Sequence, residues 1–414
     1  MKPELLAPAG NLKKLKCAVS FGADAVYAGG KSFSLRAFSD NFTDEELAEG
    51  IAYAHARGRK VYVAVNIFAR NADLSAMEEY FRFLQEIHAD AVLVSDLGAL
   101  SLCRRAAPRL AVHISTQANV TNAEAARAYS ELGASRVVLA RELSVAEIAA
   151  IHAACPALEL EAFVHGAMCI SYSGRCYLSD YLDGRPANRG ACVQACRRAY
   201  RIQSRQADGW CDLEADGRGT YVMNSKDLNL SAHLSELAAA GVCSFKIEGR
   251  MKSEYYLATV VNAYRRILDG GDPARLADEL DCIDHRAYTL AYAFGENRDT
   301  ILADGSQEAG TCDFVAVVLS SGNGYVCAEM RNRFYEGETL EVLSPGDAFG
   351  KAFRVTDMRD KDGTPCRDAR LVQGHYTFAC PYPLAAGDIL RRRKNGEAAE
   401  NGLQNRSITD IIEK

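Results

Sequence analysis

Four cysteines, Cys169, Cys176, Cys192 and Cys196, fall within 28 residues, separated by six, fifteen and three others. Thiolates this close in sequence imply a shared ligand. Four soft sulfur donors suit zinc or an iron-sulfur cluster, whereas magnesium and calcium need oxygen ligands. Spacing leaves zinc and iron-sulfur open: structural zinc sites favour two tight pairs, and the six-residue gap fits that pattern poorly. The other ten cysteines, Cys17, Cys103, Cys155 and Cys243 among them, lie in helix or strand patterns and read as small buried hydrophobes.

The stretch around the cysteines is basic. Residues 170–205 carry seven arginines (Arg175, Arg185, Arg189, Arg197, Arg198, Arg201, Arg205) against Asp180 and Asp183, in a chain of net charge -6. Arginine forks with Tyr172, Tyr177, Tyr181 and Tyr200 nearby suit phosphate binding and base stacking. The plainer alternative is that the arginines balance an anionic thiolate cluster. A second basic run, Arg391 to Lys394, reads as a solvated end.

These residues need a scaffold. The first 270 residues repeat a short Val/Ala/Leu-rich run, a polar break and an amphipathic helical stretch, the pattern of a parallel α/β fold. Eight strands are expected near 4–8, 24–28, 61–65, 91–95, 111–115, 136–140, 158–164 and 243–248, which predicts a closed (β/α)8 TIM-barrel-like domain over 1–270. An open doubly wound sheet is the alternative, although no glycine-rich dinucleotide or P-loop fingerprint follows the first strand. Thr43 or Asp44, and Ser144, are expected to cap helices; Gly22, Gly58 and Gly133 stand where helices should stop. The rhythm breaks at 169–220, an insertion holding the cysteines and arginines. A connector is expected over 271–310, a small C-terminal β-barrel over 311–395, and a tail over 396–414. Turns of that barrel are signalled at 321–324, 345–347 and 361–363.

Polar residues recur where the predicted strands end: Asn66, Asp96, His113 with Gln117, Arg141 with Glu142, His165, and Lys246 with Glu248 and Arg250. In a barrel these ends converge on the face that carries active sites. His165, Glu161, His113, Lys246, Glu248 and Arg250 are therefore the catalytic candidates. Each has a plainer role available. Asn66 and Asp96 can cap turns or helices, His113 can be a bonded core histidine, and Lys246, Glu248 and Arg250 can form a network closing the barrel. Glu161, between Leu160 and Ala162, is expensive to bury unless paired or functional.

Composition agrees with a globular enzyme: 414 residues, 48% hydrophobic and 25% charged. No apolar run reaches the roughly 18 residues of a membrane span, and the opening residues lack a signal-peptide pattern, so a cytoplasmic protein with reduced thiols and no membrane partner is expected. The net negative charge argues against nonspecific polyanion binding by the whole surface.

Several segments resemble peptidase family U32. They are Glu4 to Gly10, Gly22 to Tyr27, His165 to Cys176, Asn188 to Cys192, Asn224 to Leu228 and Phe245 to Ser253, with Arg331 to Phe334, Gly337 and Glu338 fitting the family's β-barrel extension. The resemblance runs to about residue 395. Members of this family resemble oxygen-independent hydroxylases acting on the wobble uridine of tRNA, on a cytidine of ribosomal RNA, or on ubiquinone precursors. In the tRNA and ubiquinone branches prephenate is the implied oxygen donor. Carried over, Cys169, Cys176, Cys192 and Cys196 would hold a 4Fe-4S cluster. The first three match the family motif, while some ubiquinone-branch relatives draw the fourth ligand from a position where this chain has Asn229. Length and the Asn-Ser-Lys-Asp-Leu segment look most like the tRNA branch, which forms 5-hydroxyuridine. That implies tRNA as partner, with Arg175, Arg189, Arg197 and Arg198 gripping the anticodon backbone. It also implies Lys246, Arg250 or Arg175 on the carboxylates of prephenate, and raises a homologous U32 subunit as a further partner. Two alternatives stand beside it: a collagenase-like peptidase using Cys169 or Cys176 with His165, and a zinc-stabilised RNA-binding protein. Neither a Gly-x-Ser-x-Gly elbow nor a His-Glu-x-x-His helix supports the first.

Overall fold

A computed structural model of the chain describes residues 2–35, 41–198, 200, 223–295, 299–302 and 308–394. Arg201, Arg205, most of the insertion's second half and the 396–414 tail lie outside the described residues. The chain divides into two compact units, Met1–Ala309 and Gly310–Lys414.

The first unit contains, in chain order, β1 (Glu4–Pro8), β2 (Ala25–Ala28), β3 (Lys60–Ala64), β4 (Ala91–Val94), β5 (Ala111–Ile114), β6 (Arg136–Val138), β7 (Glu159–Ala167), β8 (Asp227–Asn229) and β9 (Val242–Ile247). β1 to β7 pair in parallel, each with the next, and β9 pairs in parallel with both β7 and β1. The sheet therefore closes on itself as an eight-stranded barrel, which excludes the open sheet. β8 lies outside this circuit, antiparallel to the end of β7. Strands buried on both faces read as near-continuous apolar runs, and Leu5, Leu6, Ala7, Val61, Val63, Val92 and Val94 have no exposed surface.

Six helices follow the first six strands: α1 (Leu12–Ser20), α2 (Asp44–His55), α3 (Leu74–Glu86), α4 (Leu97–Ala106), α5 (Ala123–Glu131) and α6 (Val145–Ala154). Their starts are chemically set. Thr43 and Glu46 exchange bonds as a capping box on α2, and Ser144 with Glu147 does the same on α6. Asp96 caps α4 by accepting from the Ala99 amide at 2.9 Å, so its plainer role is the real one. Then come α7 (Leu178–Asp183) within the insertion, α8 (Leu234–Ala239), α9 (Glu254–Leu268) and α10 (Pro273–Leu280). The 271–310 stretch expected as a connector has structure of its own: α10 packs on α9, and β10 (Tyr288–Thr289) pairs with β8.

The second unit is antiparallel: β11 (Cys312–Gly322), β12 (Tyr325–Met330), β13 (Phe334–Tyr335), β14 (Thr339–Leu343), β15 (Ala352–Arg354), β16 (Asp368–Ala369), β17 (His375–Ala379) and β18 (Ile389–Arg393). Six strands run in the order β15-β14-β18-β11-β12-β17, and β13 pairs with β16. The sheet curls round one core. Phe353 and Phe378, from its two end strands, stack with ring centroids 6.2 Å apart, and Arg359 bridges Thr377 through paired backbone bonds of 2.8 and 2.9 Å. The basic run 391–394 is no solvated end. Arg391 is fully buried against Glu341, and Arg392 pairs with Asp313 and Glu338 at 2.9 and 2.8 Å.

Candidate active site at the barrel mouth

A cavity of about 170 Å3 lies at the C-terminal ends of the barrel strands. Tyr27, Ala64, Leu93, Phe163 and Lys246, from β2, β3, β4, β7 and β9, face it from the barrel; Asn66, Ser115, Gln117, Arg141, Glu248 and Arg250 rim it from the loops just beyond. All four cysteines face the same cavity from the insertion, together with Ser173, Ser179 and Asn188. The sequence expectation that strand ends and cysteines share one mouth is met.

The insertion is laced to the barrel loops. The Phe68 amide donates to the Asn188 carbonyl at 2.8 Å, and Arg189 donates to the Phe68 carbonyl at 2.7 Å and to both oxygens of Asp73 at 2.8 and 3.2 Å. The Ser173 amide donates to Glu142 at 2.9 Å. Gly174 lies against the loop after β5 with φ +77°, where a Cβ would stand 2.0 Å from the Gln117 carbonyl oxygen. Only glycine fits that approach.

Within the roof, a hydrogen bond between Cys169 and Cys176 holds the Cys176 thiol down at about 5; the same bond raises Cys169, the most exposed of the four. Cys192 Sγ accepts from the Gln194 amide at 3.4 Å and from Ser179 Oγ at 3.8 Å. Burial raises Cys196, which feels the charge of Cys192 and Cys176. Among the described residues, no three or more His, Cys, Asp or Glu side chains stand ready to hold a single metal ion. The thiols face a common cavity without meeting at one point. An all-thiolate set with N-H and O-H donors to sulfur is the donor chemistry of an iron-sulfur cluster, whose four cysteines bind different irons.

Below the cavity the barrel interior is charged and paired. Glu161, with no exposed surface, accepts from Lys246 Nζ at 2.7 Å and from Arg136 at 3.1 Å. Arg136 also reaches Glu4 at 2.6 Å and Glu159 at 2.8 Å, while Tyr62 and Ser244 donate to Glu4 at 2.7 and 2.8 Å. Burial pushes the Glu161 carboxyl up, but Lys246 and Arg136 outweigh it and hold it below the usual carboxylate range. Lys246 is further fixed over the Tyr27 ring, 4.4 Å from its centroid. Arg141 lies 4.0 Å over the Phe163 ring and 3.5 Å from Glu248.

Of the six catalytic candidates, Lys246, Glu248 and Arg250 line the cavity, and Glu161 supports Lys246 from beneath. His113 lies in the interior, edge-on to Tyr62 with ring centroids 4.7 Å apart, and burial first, then Arg136, lowers its pKa to about 3. His165 is outside the barrel. Between Phe163 and His165 two steps along β7 match one step on β9, where Lys246 is followed by Ile247. This bulge turns His165 to the outer face, among Tyr256, Tyr264 and Tyr288, with Tyr264 OH 3.3 Å from Nδ1. A cysteine-histidine pair through His165 is therefore absent. Of the arginines expected on RNA, Arg189 is committed to Asp73 and Arg198 to Asp183 at 3.0 Å; Arg175 is exposed and Arg197 half-buried. Ser115, Ser173, Ser179 and Asn188 line the cavity without having been singled out by sequence reasoning; their one signal was adjacency to a strand end or to the cysteines.

The family model for peptidase family U32 matches residues 10–302, and that for the peptidase family U32 C-terminal domain matches 310–391. "tRNA hydroxylation protein P1" of Bacillus subtilis is 39% identical over 405 residues, covering 95% of each chain. "tRNA hydroxylation protein P" of Escherichia coli is 37% identical over 392 residues, 83% of this chain and 86% of that one. Its counterpart in Helicobacter pylori J99 is 44% identical over 299 residues, 70% of this chain and 71% of the relative. A solved U32 peptidase, Mk0906, is 14% identical with a TM-score of 0.41, covering 61% of this chain and 94% of that one. With both family models matched and near full-length relatives of this identity, the chain belongs to peptidase family U32.

Proposed function

We propose that this protein hydroxylates tRNA, forming 5-hydroxyuridine at the wobble position, with prephenate as oxygen donor and a 4Fe-4S cluster held by Cys169, Cys176, Cys192 and Cys196. The observation that carries this reading is that four thiols and the polar ends of the barrel strands face one cavity. The names of the near full-length relatives support tRNA as the substrate class. When bound, the cluster would supply the redox chemistry that a C-H hydroxylation requires and that no side chain here offers.

The chain's own residues have separable tasks. A cavity of about 170 Å3 compares with the roughly 150 Å3 that holds one benzene, the scale of a six-membered ring such as an extruded base presents. Lys246, fixed by Glu161 and Tyr27, and Arg141, fixed by Phe163 and Glu248, place two cations at the wall, and Arg250 lies beside them. Paired cations suit the carboxylates of an anionic donor. Leu35, Leu93 and Phe163 give the same space its apolar wall. None of the described helices is long and apolar enough to cross a membrane, and we place the protein in the cytoplasm with its substrate.

The test is anaerobic purification of wild type and Cys192→Ala with iron, sulfide and zinc analysis, paired with nucleoside mass spectrometry of tRNA from a strain lacking the gene. About four irons per chain, lost in the variant, and disappearance of 5-hydroxyuridine restored only by the wild-type gene are expected. Zinc without iron sinks the cluster, and unchanged 5-hydroxyuridine sinks the substrate.

A further inference from the structure

The insertion has two faces made by one short run of chain. Cys169, Gly174, Cys176, Leu178 and Ser179 line the cavity. The residues between and beyond them turn outward: Tyr172, Tyr177 and Tyr181 are 60%, 66% and 75% exposed. These are unusual values for large rings, which normally bury most of their area. Tyr177 and Tyr181 are four residues apart at the start and within α7, joined by the amide of Tyr181 donating to the Tyr177 carbonyl at 2.9 Å, so they sit on one side of a single helical turn. Tyr172 is on the turn just before, whose carbonyl accepts from the Arg175 amide at 2.9 Å. None of the three hydroxyls meets a partner among the described residues. Tyr200, the fourth tyrosine of the region, differs: its hydroxyl donates inward to the Ala195 carbonyl at 2.6 Å.

The arginines divide in the opposite sense. Arg189 and Arg198, two of the four arginines expected on the RNA backbone, pair with Asp73 and Asp183. Arg175, also exposed, lies between Tyr172 and Tyr177 in the chain.

We propose that Tyr172, Tyr177 and Tyr181 form a stacking platform for unpaired nucleotides of the RNA substrate, flanking the base that enters the cavity. The proposal rests on the RNA-modifying reading and adds its mode of recognition. Ring faces bind any base by stacking, so the platform selects single-stranded, splayed-out RNA over a duplex, whose bases are already stacked. Arg175, exposed and set between Tyr172 and Tyr177 in the chain, would add a contact to the RNA backbone. Three exposed rings held a few residues from the cavity lining place that selection next to the mouth.

The test measures binding of a labelled anticodon stem-loop and of a fully paired hairpin of equal length by anisotropy. Wild-type protein is compared with the triple variants Y172A/Y177A/Y181A and Y172F/Y177F/Y181F, all isolated with their metal content assayed. The alanine variant should bind the stem-loop at least about tenfold more weakly, leave the hairpin unchanged and retain the wild-type metal content; the phenylalanine variant should bind like wild type. Equal stem-loop affinity in the alanine variant overturns the platform, and wild type still active on tRNA would then leave the functional reading standing. Parallel loss on both RNAs overturns the selection of unpaired nucleotides. An alanine variant that binds RNA normally but changes its oligomeric state in sedimentation assigns the tyrosines to a protein interface. A wild-type protein that binds neither RNA fails the functional reading itself.

Discussion

The interior of the barrel and the insertion over its mouth are both rich in polar side chains, and they treat them in opposite ways. Inside, Glu4, Glu161, Arg136, Lys246, Tyr62 and Ser244 satisfy one another through bonds of 2.6 to 3.4 Å, all buried except the half-buried Glu4. A network so complete has no valence left for a substrate except at its upper edge, where Lys246 reaches the cavity. In the insertion, thiols face a cavity and tyrosines face solvent, and the ion pairs that exist tie the segment down rather than fill its site. Buried charge that is fully paired marks the scaffold, and thiols turned toward a shared cavity mark the chemistry.

The largest expected effect comes from breaking the interior. Glu161→Ala leaves Lys246 and Arg136 buried beside an empty site, and removing one partner of a buried network costs about 3 to 5 kcal/mol. Urea unfolding should show that loss with the denaturant slope unchanged. A loss below about 1 kcal/mol would mean that the interior charges are hydrated and that the contrast drawn above is wrong. Next is Gly174→Ala, which attacks the roof alone. With φ +77° and a Cβ placed 2.0 Å from a backbone oxygen, the turn must open, lifting Cys169 and Cys176 from the mouth. Iron content and hydroxylation should fall more than tenfold while the barrel's unfolding transition moves little; the reverse pattern would make the insertion part of the scaffold.

How far these regions could be read in advance follows the same division. All eight barrel strands, the caps Thr43 and Ser144 and the helix stops Gly22, Gly58 and Gly133 are legible, because local propensity and buried apolar runs dictate them. The cysteines and Lys246, Glu248 and Arg250 are legible because a closed barrel brings strand ends together. His165 is not: strict alternation from Glu161 and Phe163 places it inward, and a bulge visible only in the pairing with β9 reverses it. The arginines mislead for another reason. Composition counts charges, whereas Asp73 lies 116 residues from Arg189, and no local pattern announces that pairing. The 391–394 run is the same lesson in the second unit, since Glu341 is 50 residues from Arg391.

Smaller in size, but diagnostic of the interior, is the pH response. His113 and His165 are nearly inaccessible, and burial, aided by Arg136 at the first and by His285 and Lys252 at the second, lowers each to about 3 from an unfolded value near 6.5. Each is neutral in the folded chain while the unfolded chain takes up a proton. The stability they contribute is complete above pH 6.5 and is lost progressively as pH falls from there toward 3. The slope is about 1.4 kcal/mol per pH unit for each histidine. Stability measured between pH 6 and 4.5 should therefore fall less steeply in His113→Phe, by about one proton; an unchanged slope would mean that His113 is protonated in the fold and belongs with the cavity's ionisable groups.

The smallest effect tests whether the insertion's ion pairs are tethers. Arg189 and Asp73 are each less than a third exposed and meet through two bonds, so their coupling should exceed that of an isolated surface pair yet stay near 1 kcal/mol. In a double-mutant cycle of Arg189→Ala and Asp73→Ala, that coupling should appear in the retention of iron on dilution, with global unfolding nearly unmoved. RNA affinity is the discriminating readout. Arg189→Ala and Asp73→Ala should change it equally if Arg189 only holds the insertion in place. A loss confined to Arg189→Ala would return this arginine to the phosphate backbone and blur the line between the segment's anchoring charges and its exposed rings.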